Sequence, residues 1–260
     1  MKLLRLIKSS LSKLKLMILS GAPIWLVISH FKLNSLHRLS PDRQRFIKEM
    51  DSFRSFAKKL QLDNDWFTGN IPTWLMAFQK QLFDNKTELN CMEIGSWQGL
   101  STVFVLSYFE KANLTCVDTW MGADEHKDGS ARSAQILSEI EKKFDGNISR
   151  YIDRVTKYKG TSYQYFLDCF ERDKFDLIYI DGSHHSDDVV VDAIKSFEML
   201  KVNGLLIFDD YFWKYYSRTI DNPSGAINAF IRLKRYQLEV VCFDYQLVVR
   251  KTQNSARSSN

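Results

Sequence analysis

Two runs decide the fold, 175-FDLIYID-181 and 204-GLLIFDD-210. Each is a short apolar stretch rich in aliphatic and aromatic residues that stops on a carboxylate, Asp181 in the first and Asp209-Asp210 in the second. Continuous apolar runs of this length between turn residues read as strands buried on both faces, the pattern of a parallel sheet. Residues from about Val189 to Leu200 carry helical spacing, which supplies the crossover that parallel neighbours need. Three carboxylates are therefore expected at one edge of one sheet. Ionised carboxylates about 4 Å apart repel by roughly 4 kcal/mol per pair at an effective dielectric near 20. A divalent metal is the simplest remedy, and oxygen ligands favour a hard ion such as Mg²⁺. The competing reading makes one or more of these acids a helix cap or turn residue, which Gly182-Ser183 after Asp181 invites.

Working outward, the same rhythm extends in both directions. Leu89 to Ile94 reads as a buried strand, followed after a glycine-containing turn by a helix through Val103, Leu106 and Phe109. Leu114 to Val117 is the next strand and ends on Asp118. A helix near Ala134 to Phe144, a strand near Arg154 to Tyr158 and a helix over Tyr163 to Phe170 come next; a helix near Ile227 to Leu233 follows the second acidic strand. LEVVCF (238–243) and YQLVVRK (245–251) are separated by Asp244 alone, too little for a crossover, so they must pair antiparallel. The expected fold class is α/β: a doubly wound Rossmann-like sheet, mostly parallel, with a C-terminal antiparallel hairpin and an N-terminal helical extension. The domain reading is 1–84 for the extension, 85–252 for the sheet domain and 253–260 for a polar tail.

At 260 residues the chain can bury one full core with an appendage. Its net charge of +5 hides a split. Residues 1–60 hold 13 Lys or Arg against 3 Asp or Glu, a net +10, and the other 200 residues are net −5. The basic character is local, which argues for contact with an anionic surface and against a nucleic-acid groove. The uncharged run 16–31, LMILSGAPIWLVISHF, follows a basic lead but is short of the about 20 residues of a comfortable membrane span and is broken by Gly21-Ala22-Pro23. Two readings stand for residues 1–32: a helix lying on a membrane surface, or a helix packed on its own domain or on a second subunit of a homo-oligomer. Residues 41–84 read as a helical lid or platform, with Phe46, Met50, Phe53, Phe56 and Leu60 as an aromatic and aliphatic stripe. Cys91, Cys116, Cys169 and Cys242 are widely spaced within apolar patterns, so they read as small core residues in a reducing compartment, the cytoplasm, with peripheral placement at the inner membrane surface as its variant.

Ligands of a doubly wound sheet sit at the carboxyl ends of its strands. After the first strand stands EIGSWQGLS, which offers Glu93, Gly95, Ser96, Trp97, Gly99 and Ser101; after the second stands Asp118, placed for a ribose diol. A glycine pair and an acid suit NAD as well as S-adenosylmethionine. The spacing E-x-G-x-x-x-G departs from the dinucleotide fingerprint, and the antiparallel hairpin is not needed by dinucleotide folds; both favour S-adenosylmethionine.

In order, EIGSWQGLS, CVDTW, KGTS (159–162), YIDGSHH and IFDDYFW cover about 160 residues, from 88 to 251, that resemble class I S-adenosylmethionine-dependent methyltransferases. The nearest group is the one called methyltransferase family 24, and catechol O-methyltransferase is similar at a greater distance. The resemblance implies that Glu93, Gly95, Ser96 and Ser101 hold the amino-acid end of the cofactor within the turn completed by Trp97 and Gly99. It further implies that Asp118 binds the ribose and that Gly160, Thr161 and Ser162 border the adenine. In the catechol enzyme an Asp after the fourth strand and an Asp-Asn pair after the fifth hold the metal. The matching places here are Asp181 and Asp209-Asp210, with Asp in the place of Asn. The lysine base of that relative falls on His184.

The chemistry so implied is methyl transfer to a hydroxyl of a sugar or other small acceptor, with Asp181 at the centre and His184 as general base. His185 is the rival base, and a helix-capping role for both imidazoles is the alternative. Tyr211, Trp213, Tyr215 and Tyr216 could wall the acceptor or could be ordinary packing. A nicotinamide-dependent oxidoreductase and a nucleotide-binding protein without chemistry are the rival functions.

Overall fold

A computed structural model describes residues 2–123, 126 and 129–254. Apolar strands alternate with helices as expected: β1 (Asn90–Ile94), α5 (Leu100–Tyr108), β2 (Asn113–Asp118), α6 (Ala131–Ile148), β3 (Val155–Lys159), α7 (Ser162–Asp168), β4 (Phe175–Ile180), α8 (Ser186–Met199), β5 (Leu200–Phe208), α9 (Pro223–Leu233), β6 (Leu238–Phe243) and β7 (Leu247–Lys251). Four helices precede them: α1 (Lys2–Leu19), α2 (Ile24–Leu39), α3 (Arg43–Ala57) and α4 (Ile71–Gln81). The seven strands lie in the order β3-β2-β1-β4-β5-β7-β6. The pairs from β3 through β5 are parallel. β7 is antiparallel to both β5 and β6, which is the C-terminal hairpin set into the sheet edge. The chain runs outward from β1 to β3, then returns to place β4 on the other side of β1, so the order reverses between β1 and β4. That reversal opens the crevice in which doubly wound sheets bind ligands.

Strand alternation divides the core. Leu177 and Tyr179 of β4 face one layer, with Phe78, Phe104, Phe109 and Phe144 of the helices above it. Ile178 and Ile180 face the other, with Val189, Phe197, Phe230 and Ile231. The N-terminal segment joins both layers. Ile71, Trp74, Ala77 and Phe78 of α4 are wholly buried in the first, so residues 41–84 form a platform and not a lid. Burying side chains of this size contributes about 1.5–3 kcal/mol each. Met17 and Leu26 join the second. The uncharged run is indeed broken, at Gly21 (φ +77°) and at Pro23, which stands at the start of α2. Among the described residues no helix is long and apolar enough to cross a membrane.

Cys91, Cys116 and Cys242 are core residues, but Cys169 is exposed. It was expected inside a helix reaching Phe170; α7 stops at Asp168, and Cys169 follows the end of the Tyr165-Phe166 stripe that the helix buries.

His30 is buried among Phe31, Phe212 and Phe243, with ring centroids 4.7–5.1 Å away. Burial, with the Lys13 charge adding to it, lowers its pKa to about 4. The unfolded chain, with His near 6.5, then binds a proton that the folded chain refuses, so this residue's contribution is present above pH 6.5 and is lost as pH falls toward 4. Urea denaturation of the wild type and His30→Leu from pH 7.5 to pH 4.5 should show a steeper loss in the wild type, by up to about 3 kcal/mol.

Gly95 has φ +86°, and a Cβ placed there would lie 2.0 Å from the Asp181 carbonyl oxygen. Gly95→Ala should cost more than about 4 kcal/mol or prevent folding. Gly21→Ala, also at positive φ but with its nearest neighbour 3.9 Å away, should cost only about 1–2 kcal/mol in the same urea titration.

Candidate active site

The crevice at the strand ends is built first by backbone. Gly95 lets the loop after β1 lie against the loop after β4, where Asp181 N–H donates to Ile94 O at 2.8 Å. Gly99 (φ +82°) ends the turn and starts α5. Between them Trp97 is held at φ +46°, and Trp120, after β2, at φ +53°. Bulky residues rarely occupy this region, and it costs roughly 1 kcal/mol or more to hold them there. The Asp118 carboxylate does so by accepting the Trp97 N–H at 2.8 Å and the Trp120 N–H at 2.6 Å. Trp120 Nε1 also donates to the Trp97 carbonyl at 3.0 Å. Burial raises the Asp118 pKa, and the N–H groups of Trp120, Trp97 and Ser96 oppose that shift. Gly160 N–H donates to Asp118 O at 2.9 Å, which brings the loop after β3 to the same place.

The expected cofactor residues divide on inspection. Asp118 joins Trp97 by hydrogen bond and Gly160 by backbone, while Gly95 lies against the Asp181 loop and Gly99 closes the turn. Glu93 is 2% exposed and accepts hydrogen bonds from Ser101 and Thr102, so it ties β1 to α5 from beneath the turn. Ser96 is equally buried. Thr161 forms a reciprocal capping box with Gln164 at the start of α7, and Ser162 hydrogen-bonds Asp192 of α8. The Thr161 hydroxyl thus serves the start of α7, and the Ser162 hydroxyl links α7 to α8.

The three acids do converge, though not as equals. Ligand atoms of Asp181, His184 and Asp210 lie within 4.8 Å of one another, the group among the described residues with a metal-like arrangement. Asp210 is in a left-handed turn (φ +53°) that aims its carboxylate sideways; one oxygen accepts from Tyr245 OH at 2.8 Å and the other lies 2.8 Å from His184 Nε2. Asp209 points inward. It accepts from Gln246 Nε2 at 3.0 Å and from Tyr179 OH, and Tyr179 OH also lies 2.9 Å from Asp181 Oδ2. Trp74 Nε1, from the N-terminal segment, donates to Gln246 Oε1 at 2.6 Å and fixes that amide. Burial, then the charges of Asp209 and Asp210, pushes the Asp181 carboxyl well above the usual range. Burial and Asp210 push Asp209 up to about 6. Both acids thus favour a proton or a cation close by, which is the chemical condition of a site for a divalent ion.

His184 lies tilted by 36° against Trp213 with ring centroids 4.4 Å apart, and His185 stacks on Tyr216 at 4.3 Å. His185 stands at the start of α8 without a side-chain cap bond, so its backbone, not its ring, begins the helix. Trp213 and Tyr215 stack at 5.5 Å. Tyr211 does not join this wall: it is fully buried, with its hydroxyl donating to Asn228 Oδ1 at 2.7 Å.

Sequence reasoning missed Tyr179, Gln246, Tyr245 and Trp74. Tyr179 had a signal, since it lies two residues before Asp181 on one strand and so shares its face. Gln246 lies just before Leu247, which pairs with Phe208, so hairpin register would have set it opposite Asp209.

Residues 92–211 match a family model described as a methyltransferase domain. Over those residues the chain is similar to methyltransferase domains, which supports an S-adenosylmethionine-dependent methyltransferase. This sets aside the nicotinamide reading. Among solved structures, a protein from Corynebacterium glutamicum is similar in fold over 80% of this chain and 91% of its own, with 16% identity and a TM-score of 0.51. The MycE methyltransferase of the mycinamycin biosynthetic pathway, solved with Mg, SAH and mycinamycin VI, is similar over 83% of this chain and 57% of its own, with 16% identity and a TM-score of 0.50. No curated protein matches the sequence significantly.

Tyr179→Phe removes the hydroxyl that lies between Asp181 and Asp209, whose one proton serves one of the two at a time, and leaves a buried acid short of a hydrogen-bond partner. Urea denaturation at pH 7.5 should show a loss of about 1–3 kcal/mol.

Proposed function

We propose that the domain transfers the methyl group of S-adenosylmethionine to a hydroxyl of a sugar or other small acceptor, with His184 as the general base. The observation that supports this reading is the contact of the Gly95 turn with Asp181, one member of the acidic cluster. A donor bound along the turn, with its ribose toward Asp118, would have its methyl group at the cluster, where an acceptor oxygen can lie in line with the breaking bond. Asp118 accepts the N–H groups of Trp97, Trp120, Ser96 and Thr119, so a ribose diol bound there would share its oxygens with these donors.

His184 is better placed as the base than His185. Asp210, 2.8 Å from Nε2, orients the ring and stabilises the imidazolium that forms when a hydroxyl proton is taken up. Trp213 covers one face of the ring and fixes its tilt. His185 lies against Tyr216 and is outside the group formed by Asp181, His184 and Asp210. Trp213 and Tyr215 offer flat surfaces against which a sugar or aromatic acceptor can pack.

The acids suit a divalent cation such as Mg²⁺: Asp181 and Asp210 would hold it, and Asp209 would brace them from below through Tyr179. Such an ion would stabilise negative charge on an acceptor oxygen. The mycinamycin enzyme, similar in fold, was solved with Mg and SAH, which agrees with this reading.

The test is transfer of labelled methyl from S-adenosylmethionine to a panel of sugars and catechols. Asp210→Ala and His184→Ala should each lose at least about a hundredfold in turnover, while calorimetry shows S-adenosylhomocysteine binding within about threefold of wild type. EDTA should abolish transfer and Mg²⁺ restore it. Unchanged turnover in Asp210→Ala together with indifference to EDTA removes the metal from the proposal.

A further inference from the structure

Among the described residues no element covers the outer face of α2. Leu26 and His30 point inward and are buried, whereas Ile24, Ile28, Phe31 and Leu39, spaced by 4, 3 and 8, lie on the opposite side. Ile24 is 78% exposed, Ile28 61% and Leu39 80%. Single exposed aliphatics are common, but a helix face made of them is a contact surface. Beyond the turn at Gly21, α1 also exposes Leu11, Ile18 and Leu19, together with Lys8 and Lys15.

Charge decides what covers this surface. Residues 1–60 carry a net +10, so a second copy of the chain would bring like charge against like. An anionic lipid surface offers both an apolar layer for the isoleucines and counter-charge for the lysines. Since neither helix is long and apolar enough to span, the helices would lie along the surface. We infer that α1 and α2 dock the protein on anionic membranes through Ile18, Leu19, Ile24 and Ile28, with Lys8 and Lys15 at the headgroups. The inference is independent of the acceptor reading above. It does have a geometric tie to the crevice. Lys13 lies 3.5 Å from Asp244 and 4.6 Å from the Phe212 ring, and Asn34 donates to Asp244 at 2.8 Å. The next residue, Tyr245, reaches Asp210. The membrane-facing helices therefore brace the loops beside the acidic cluster.

Sedimentation of the full chain with vesicles tests this, using phosphatidylcholine alone and with about one third phosphatidylglycerol. Binding should be at least about tenfold stronger to the anionic vesicles and should weaken strongly as salt rises. Ile24→Glu/Ile28→Glu should lose it about tenfold or more while circular dichroism and S-adenosylhomocysteine binding stay unchanged. Lys8→Ser/Lys15→Ser, two exposed positions, should weaken anionic binding severalfold and serves if the first pair misfolds. Three results overturn the inference: no sedimentation with either vesicle, equal binding to both, or a dimer in light scattering that the Ile24→Glu/Ile28→Glu pair dissociates. The last would assign the stripe to a second copy of the chain.

Discussion

Two loop backbones touch where β1 and β4 end, and the arrangement of the crevice depends on that contact. Gly95 has no side chain, so the carbonyl of Asp181 can occupy the space a Cβ would need. Adjacent parallel strands always place their ends side by side, but loops normally diverge to make room for side chains. Here they do not, and as a result the glycine turn after β1 and the acid that begins the carboxylate cluster share one wall. The left-handed backbone at Trp97, Trp120 and Asp210 has the same location. Local strain of this kind persists only where neighbours hold it, and Asp118, Tyr245 and the sheet itself are those neighbours.

The second organising feature is electrostatic. Tyr179 is buried with its hydroxyl between Asp181 and Asp209, and burial, followed by their charges, raises its pKa well above the ordinary phenol. Phenol, amide and indole form one line from Asp181 through Tyr179 and Gln246 to Trp74. The N-terminal segment thus reaches the floor of the crevice, so the boundary near residue 85 separates stretches of sequence more sharply than it separates functions.

The fold was legible because strand and helix periods are strong signals in a sheet buried on both faces. FDLIYID occupies the strand over Phe175–Ile180 with Asp181 just beyond, and the absence of a crossover between 238–243 and 245–251 required the antiparallel hairpin. Less legible were parts of elements with mixed polarity. β5 starts at Leu200, five residues before the apolar run, because pairing with β4 continues across a register shift through polar Lys201 and Asn203. The site was legible as a list of strand-end residues and not as a geometry. That Asp209 turns down and Asp210 sideways depends on one φ angle and on Gln246, 37 positions beyond Asp209. Local spacing carries no information about such a choice. For the same reason Tyr211 reads as one of four similar aromatics, although only it enters the core.

Cys169 closes the end of α7 and borders a cavity of about 310 Å³ with Asn90, Asn113 and Phe175, the first residues of β1, β2 and β4. It therefore stands at the amino ends of the strands, opposite the crevice, while the other three thiols are enclosed. A maleimide dye would accordingly find one accessible sulfur, remote from the chemistry. The native chain comes with its own attachment point for fluorescence or spin labels, and ligand capture could be followed without engineering the site.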